Sequence, residues 1–246
     1  DDNFLARPNY LAGHEDVGEV RETACVRSDS GWFNVCSLLA TDPPRKFYHR
    51  GFPVSKRWRD EGVAHETRRG RIAVNAGLWL GDPDINAAER LSEPFRITAY
   101  RGPAPHVGLA KNTWSPFNSQ NTTFIADLLP FLFLITVPGS SIAGYKASAK
   151  DFRYDDIWMS YFAKLAIDKI GDIVTFGEPI VKHERNAHDL LSDLDRELVP
   201  MFLTEKLIPI LHSIDLKSTN YHALYAELIE ALGREIEGTS TIADRE

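Results

Sequence analysis

The chain has 246 residues, 43% of them hydrophobic and 26% charged, a globular balance that suffices for one large domain or two small ones. Its formal net charge of -7 argues against a general nucleic-acid binder, which needs a basic field to neutralise phosphates. No apolar run reaches the roughly 18 residues that a membrane-spanning helix requires, and Cys25 and Cys36 make neither a disulfide scaffold nor a zinc site, so both read as buried thiols of a cytoplasmic protein.

In chain order, Asp1-Asp2-Asn3-Phe4 opens without a start methionine or a preceding strand, so the expectation is that an N-terminal piece is missing. Turn signals (Pro8-Asn9, Gly13, Asp29-Ser30-Gly31) and short apolar runs alternate up to residue 40. Between Arg45 and Arg71 nine Lys or Arg face three acids, which suggests a local anion to hold, although a solvated basic loop is the commoner fate of such a run. Within it, Phe47 to Trp58 alternates aromatics with bases, and Gly51 and Pro53 force a turn between Arg50 and Arg57. Such guanidinium groups can fork onto phosphate or carboxylate.

Residues 72–80 read as a strand, followed by the turn Gly81-Asp82-Pro83-Asp84 and an Ala-rich helix start at Ala87. A second strand is expected near Arg96 to Tyr100. The amide cluster Asn118-Ser119-Gln120-Asn121 precedes an apolar segment that ends before Pro138 and reads as buried. Phe152 to Trp158 then places Asp155 and Asp156 at the N-terminal end of a helix, because Trp158, Tyr161, Phe162, Leu165 and Ala166 recur at helical spacing until Gly171. The dipole stabilises carboxylates there, so a capped helix with two solvated acids competes with a catalytic pair. Short strands are expected at Ile173 to Phe176 and Pro179 to Lys182, ending at His183, a strand end where α/β sites collect. From Asp189 the pattern is helical but broken by Pro200 and Pro209, and a last amphipathic helix runs from about Asn220 to Ile236. Twelve acids against five bases make this C-terminal region acidic.

Four motifs in order carry a resemblance: Arg50-Gly51-Phe52-Pro53-Val54-Ser55-Lys56-Arg57, Gly77-Leu78-Trp79-Leu80-Gly81-Asp82-Pro83-Asp84, Arg153-Tyr154-Asp155-Asp156-Ile157-Trp158, and His183 after the strand at Pro179. With them the chain resembles, as a distant member, the family of reversibly glycosylated polypeptides and UDP-arabinopyranose mutases, relatives of the GT-A glycosyltransferases. The resemblance implies an α/β fold with a GT-A-like mixed sheet flanked by helices and a helical C-terminal region. It implies a catalytic portion over 1–186 and a helical extension over 187–246, with part of the nucleotide-binding half absent.

It also implies roles. Arg50 matches the arginine that becomes glycosylated and Arg57 its companion; Asp155 and Asp156 match the acidic motif that contacts the acceptor or supplies a base. Trp79, Asp82, Asp84, Asn121 and Trp158 are the expected substrate-binding residues. Asp1, Asp2 and His183 would hold a divalent metal, Mn²⁺ or Mg²⁺, on the pyrophosphate of a UDP-linked nucleotide-sugar donor. A glycan acceptor and a homo-oligomer stay open as partners; nucleic acid and a membrane span are not expected. Mutase, transferase to an external acceptor, and non-catalytic nucleotide-sugar-binding scaffold are the competing functions, of which retention of Arg50, Asp155, Asp156 and His183 favours an enzyme.

Overall fold

A computed structural model of the protein describes residues 13–58, 62–132, 141–142, 145–146 and 153–243. In chain order these form β1 (Val20–Ser28), β2 (Leu39–Asp42), β3 (Val63–Gly81), the single-turn helix α1 (Ala87–Arg90), β4 (Arg96–Tyr100), β5 (His106–Leu109) and β6 (Thr122–Phe124). A small hairpin of β7 (Ser141–Ile142) and β8 (Tyr145–Lys146) follows, then α2 (Asp155–Ile170), β9 (Ile173–His183), α3 (Leu190–Ser213) and α4 (Tyr221–Ala243). The main sheet is mixed, in the order β1-β5-β9-β3-β4-β2, with β6 also on β3 and β1 also on β3. Helices flank it, so the expected α/β architecture with a helical C-terminal region is present.

The sheet is built on β3, whose two halves differ because their sequences differ. Val63 to Arg71 is polar, alternates between outward and half-buried positions, and pairs antiparallel with β1. From Ile72 the run is apolar and buried on both faces, as a strand with a parallel neighbour requires. There β9 lies parallel on one side and β6 antiparallel on the other. The one polar side chain in the apolar half, Asn75, is fully buried and accepts from Thr175 Oγ1 at 2.7 Å. The basic stretch, read as holding a local anion or else as a solvated loop, ends as strand and carries Arg68, Arg69 and Arg71 there.

Two breaks expected from proline do not occur. The segments on either side of Pro179 join into one strand because the register slips there. Gly77 faces Gly177 and Trp79 faces Val181, so three residues of β9 oppose Leu78 alone, and a bulge is where proline is tolerated. Likewise α3 runs unbroken through Pro200 and Pro209. An interior proline costs about 3 kcal/mol, but Val199, Thr204, Ile208 and Leu211 bury one stripe of α3 in the core, and tertiary packing outweighs local propensity. The apolar segment after the amides begins as a 3-10 turn, Ala126–Leu132, with Leu128 and Phe131 buried; residues 133–137 lie outside the described residues. Cys25 and Cys36 are buried free thiols.

Helix α2 is buried almost all round, which explains why its apolar residues occupy more than one stripe. It packs between the sheet and the C-terminal helices, and Ile208, Leu211, Leu216, Tyr221, Leu224 and Leu228 join the same hydrophobic cluster as its Ile157, Tyr161 and Phe162. Each such large side chain contributes about 1.5–3 kcal/mol by burial. From α2, Tyr161 donates its hydroxyl to the Gly51 carbonyl at 2.6 Å. Gly51 N–H donates to Asn86 Oδ1 at 3.0 Å, and that oxygen also accepts from the Tyr154 hydroxyl at 2.7 Å. The turn after Arg50 is thus nailed to the core. Gly51 has a φ of 82°, and a Cβ there would stand 2.2 Å from Ile157 Cγ2. Gly51→Ala is expected to cost about 1–3 kcal/mol and to lower the thermal unfolding midpoint; an unchanged midpoint would mean that the turn does not hold this conformation.

Candidate functional site

The backbone of Arg50 is fixed by its N–H on the Asp84 carbonyl at 2.9 Å. Its side chain crosses to two different elements. Nε donates to Asp84 Oδ1 at 3.0 Å, Nη2 donates to Asp156 Oδ2 at 2.8 Å, and Nη1 donates to the Arg153 carbonyl. Asp84 reaches this point because the sharp turn after β3 leads back beside the Arg50 turn, and Asp156 because it opens α2. Asn118 Nδ2 donates to the other Asp84 oxygen at 2.7 Å, so that carboxylate is bonded through both oxygens.

Burial alone would lower the Arg50 pKa, but Asp84 and Asp156 outweigh it and hold the guanidinium well above its ordinary value. Burial alone would raise the Asp84 carboxyl; Arg50, with His49 and Asn118, holds it well below the usual carboxylate range. Both charges are therefore fixed at neutral pH. Asp155 differs. It accepts from the Asp156 N–H at 3.0 Å and is pushed up chiefly by burial.

Arg50, Asp84, Asn118, Gln120, Arg153, Asp156, His183 and Arg185 line one cleft of about 350 Å³. His183, at the end of β9 and paired with Gly81, bonds through Nδ1 to the Asp82 carbonyl at 2.9 Å. That contact leaves Nε2 as the nitrogen to meet a ligand, the arrangement in which a histidine binds a metal. Among the described residues, however, no three His, Cys, Asp or Glu side chains group to hold a metal ion; Asp1 and Asp2 lie outside the described residues. The opposite wall is held by α3. Asp193, almost fully buried, accepts from Arg153 Nη1 and from Arg185 Nη2 at 2.7 Å, and Glu197 stands 3.5 Å from Arg153 Nε. Glu197 also accepts the Ala87 N–H at 2.7 Å, which ties α1 to the same wall.

The sequence of the reversibly glycosylated polypeptide family matches residues 40–241, a span that contains every residue just named for the cleft. The chain belongs to that family. Among its relatives, UDP-arabinopyranose mutase 1 of Arabidopsis thaliana is 28% identical over 235 residues, covering 93% of this chain and 58% of that protein. UDP-arabinopyranose mutase 2 of Arabidopsis thaliana is 26% identical over 252 residues, covering all of this chain and 63% of the relative. The probable UDP-arabinopyranose mutase 1 of Solanum tuberosum is 27% identical over 191 residues, covering 76% and 47%. The chain thus spans about half to three-fifths of the length of these curated relatives.

For this family member the structure gathers Arg50, Asp84, Asp156 and His183 into the cleft and sets other expected site residues apart. Arg57 is buried against Glu89, Nη1 to Oε1 at 2.9 Å, with its guanidinium 5.2 Å over the Tyr48 ring. It sits behind the Arg50 turn, outside the cleft lining. Trp79 is buried edge-on against His49, and Trp158 donates Nε1–H to Thr204 Oγ1 at 2.9 Å, into α3. Asn121 Nδ2 donates to the Leu78 carbonyl at 3.1 Å, behind the cleft loop. Asp82 adjoins the cleft through its carbonyl on His183 and its carboxylate on the Arg185 N–H at 2.8 Å. Missed by the sequence reading were Arg153, Arg185, Asn118, Asp193 and Glu197. Arg153 stood beside the acid pair and Asn118 within the amide cluster, but nothing local marks Asp193 or Glu197 among the twelve acids of the C-terminal region.

Removing one member of a buried ion pair leaves the other charge uncompensated, so Asp84→Asn is expected to cost about 3–5 kcal/mol at neutral pH. The folded carboxyl lies below its ordinary value of 3.8, so its stabilisation is complete above that value and is lost as pH falls further. Urea unfolding of wild type and Asp84→Asn should therefore converge as pH drops from about 4 towards 2. A gap that stays constant over that interval would refute the pair.

Proposed function

We propose that the chain carries the catalytic portion of a nucleotide-sugar enzyme, with GT-A-like character, that acts on a UDP-linked sugar in the Arg50 cleft. The observation that carries this reading is the Arg50 guanidinium held between Asp84 and Asp156 on the wall of a cleft that also presents Arg153, Arg185 and His183. The relatives' names, UDP-arabinopyranose mutase, point to the same substrate class. A leaving nucleoside diphosphate develops negative charge, and preorganised guanidinium groups stabilise it at no reorganisation cost. Arg153 and Arg185, braced by Asp193, fit that task.

In the mutase reading, the anomeric C–O bond to the diphosphate breaks, a C–N bond forms to Arg50 Nη2, and the displaced proton passes to Asp156, 2.8 Å away. Return of the diphosphate oxygen to the anomeric carbon reverses these steps after the ring has changed form. Asp84 keeps the remaining guanidinium oriented. A divalent cation, Mn²⁺ or Mg²⁺, held by His183 with Asp1 and Asp2, would supply charge neutralisation at the diphosphate. One observation favours a second reading. The two carboxylates that orient Arg50 also raise its pKa, which disfavours a guanidine nucleophile. Transfer to an external glycan acceptor, with Asp156 taking the acceptor proton and Arg50 serving as a fixed charge, avoids that cost.

Intact-mass measurement after incubating the protein with Mn²⁺ and a panel of UDP-sugars separates these readings. A single added pentose or hexose that is absent in Arg50→Ala identifies the self-glycosylating, mutase-like enzyme. UDP release only with an added acceptor identifies the transferase. In both cases Asp156→Asn should lower the rate by about 10²-fold or more. Neither adduct nor UDP release with any donor would sink the enzymatic assignment.

A further inference from the structure

Behind Arg185 lies a second cavity of about 170 Å³, which shares Arg185 and His188 with the Arg50 cleft but none of that cleft's carboxylates. Its polar lining consists of Arg90, Arg185, Asn186 and His188 together with the acids Asp82, Glu89 and Glu93, and its apolar wall of Phe95 and Leu190 among others. Arg90 is the unusual member. Its Nη2 donates to the Pro83 carbonyl, its Nε is buried and donates to no described residue, and it forms no ion pair among the described residues. Arg185 is its strongest charged neighbour and has the same sign. Burial and Arg185 pull its pKa down to about 10, against an opposing pull from Asp84 and Glu197. The Arg185 Nε is likewise buried and has no hydrogen-bond partner among the described residues.

Of the three acids in the lining, two bond other groups and the third is exposed. Asp82 takes the Arg185 backbone N–H and stands 3.6 Å from Arg96, Glu89 pairs with Arg57, and Glu93 lies exposed at the rim. The Asp193 carboxylate serves Arg153, Arg185 and His188, not Arg90. A largely buried guanidinium with no carboxylate of the described residues within ion-pair distance is stabilised further when a negative group reaches it directly. Two guanidinium groups and an imidazole on one wall suit the oxygens of a single carboxylate or phosphate.

We infer that this cavity is an oxyanion subsite, centred on Arg90, for a carboxylate- or phosphate-bearing small molecule that binds beside the Arg50 cleft and independently of its occupant. The apolar wall accepts the carbon skeleton to which the charged group is attached, and the shared Arg185 places the two ligands next to each other.

Calorimetric titration of the protein with inorganic phosphate, with galacturonate and with uncharged galactose, each with and without UDP, tests this. At least one of the two oxyanions should bind and galactose should not. Phosphate alone would identify a phosphoryl group, and galacturonate an acidic sugar. Arg90→Met should weaken that binding tenfold or more while leaving UDP affinity within twofold. In thermal unfolding without anion, Arg90→Met should hold or raise the midpoint, and it should abolish the anion-induced rise. A purely structural arginine would instead lower the midpoint when removed. Leu190→Trp, which fills the cavity mouth from the first residue of α3, provides an independent block and should weaken the same binding. Anion binding unchanged in both variants, anion displaced by UDP, equal binding of galactose, or no binding of either oxyanion would each overturn the assignment. Because the anion titration without UDP does not require the nucleotide-sugar reading, the two can fail separately.

Discussion

Everything in the cleft depends on one interaction, the capture of the Arg50 guanidinium by carboxylates from two elements far apart in sequence. Asp84 arrives from the turn after β3 and Asp156 from the first turn of α2. Burial pushes each partner towards neutrality, and the opposite charges beside it outweigh that loss of solvation. Together with Asn118 and the Arg153 carbonyl they satisfy the guanidinium on three nitrogens and one carboxylate on both oxygens. The neutral scaffold beneath, with Gly51, Asn86, Tyr154 and Tyr161 in a connected set of hydrogen bonds, keeps the backbone in place so that the charges need not search for each other. An arginine so fixed is a poor flexible tether and a good template.

The C-terminal helices take part in this template. Asp193 and Glu197 lie one turn apart on the buried side of α3, so they present two carboxylates to the same wall. Through Arg153 that wall connects to the start of α2, and through the Ala87 N–H it connects to α1. The helix that looks from composition like an acidic packing element is the brace for the cleft's cations. That arrangement helps α3 tolerate two interior prolines: buried ion pairs fix its start and core contacts hold the rest of its length.

How much of this could be read from the sequence follows from the range of each interaction. The apolar half of β3 and the body of α2 were legible because periodicity and burial coincide there. His183 was legible as a strand-end residue, and Arg50, Asp84 and Asp156 as a set through the family motifs. The polar half of β3 and the strand β1 were not, because each is stabilised by the other across the chain rather than by an apolar pattern of its own. Trp79 and Trp158 stood in the same motifs as cleft residues, yet alternation along a strand and rotation around a helix turn neighbours to opposite sides. Arg57 was placed beside Arg50 by its turn, but Glu89 and Tyr48 draw its guanidinium inward. Asp193 was invisible because its meaning lies entirely in two arginines that come from other segments.

The charge balance of the cleft gives the proposed metal a physical rationale. Arg50, Arg153 and Arg185 face Asp84, Asp156, Asp193 and Glu197, so the described wall carries no excess of positive charge. Guanidinium groups matched in this way orient a diphosphate by hydrogen bonds, but they do not attract it by net field, and the carboxylates beside Arg50 repel it. In the proposed reading, a divalent cation held by His183 would add positive charge to that balance. The fixed arginine–carboxylate pairs therefore set direction in the cleft rather than supplying it with a net positive field.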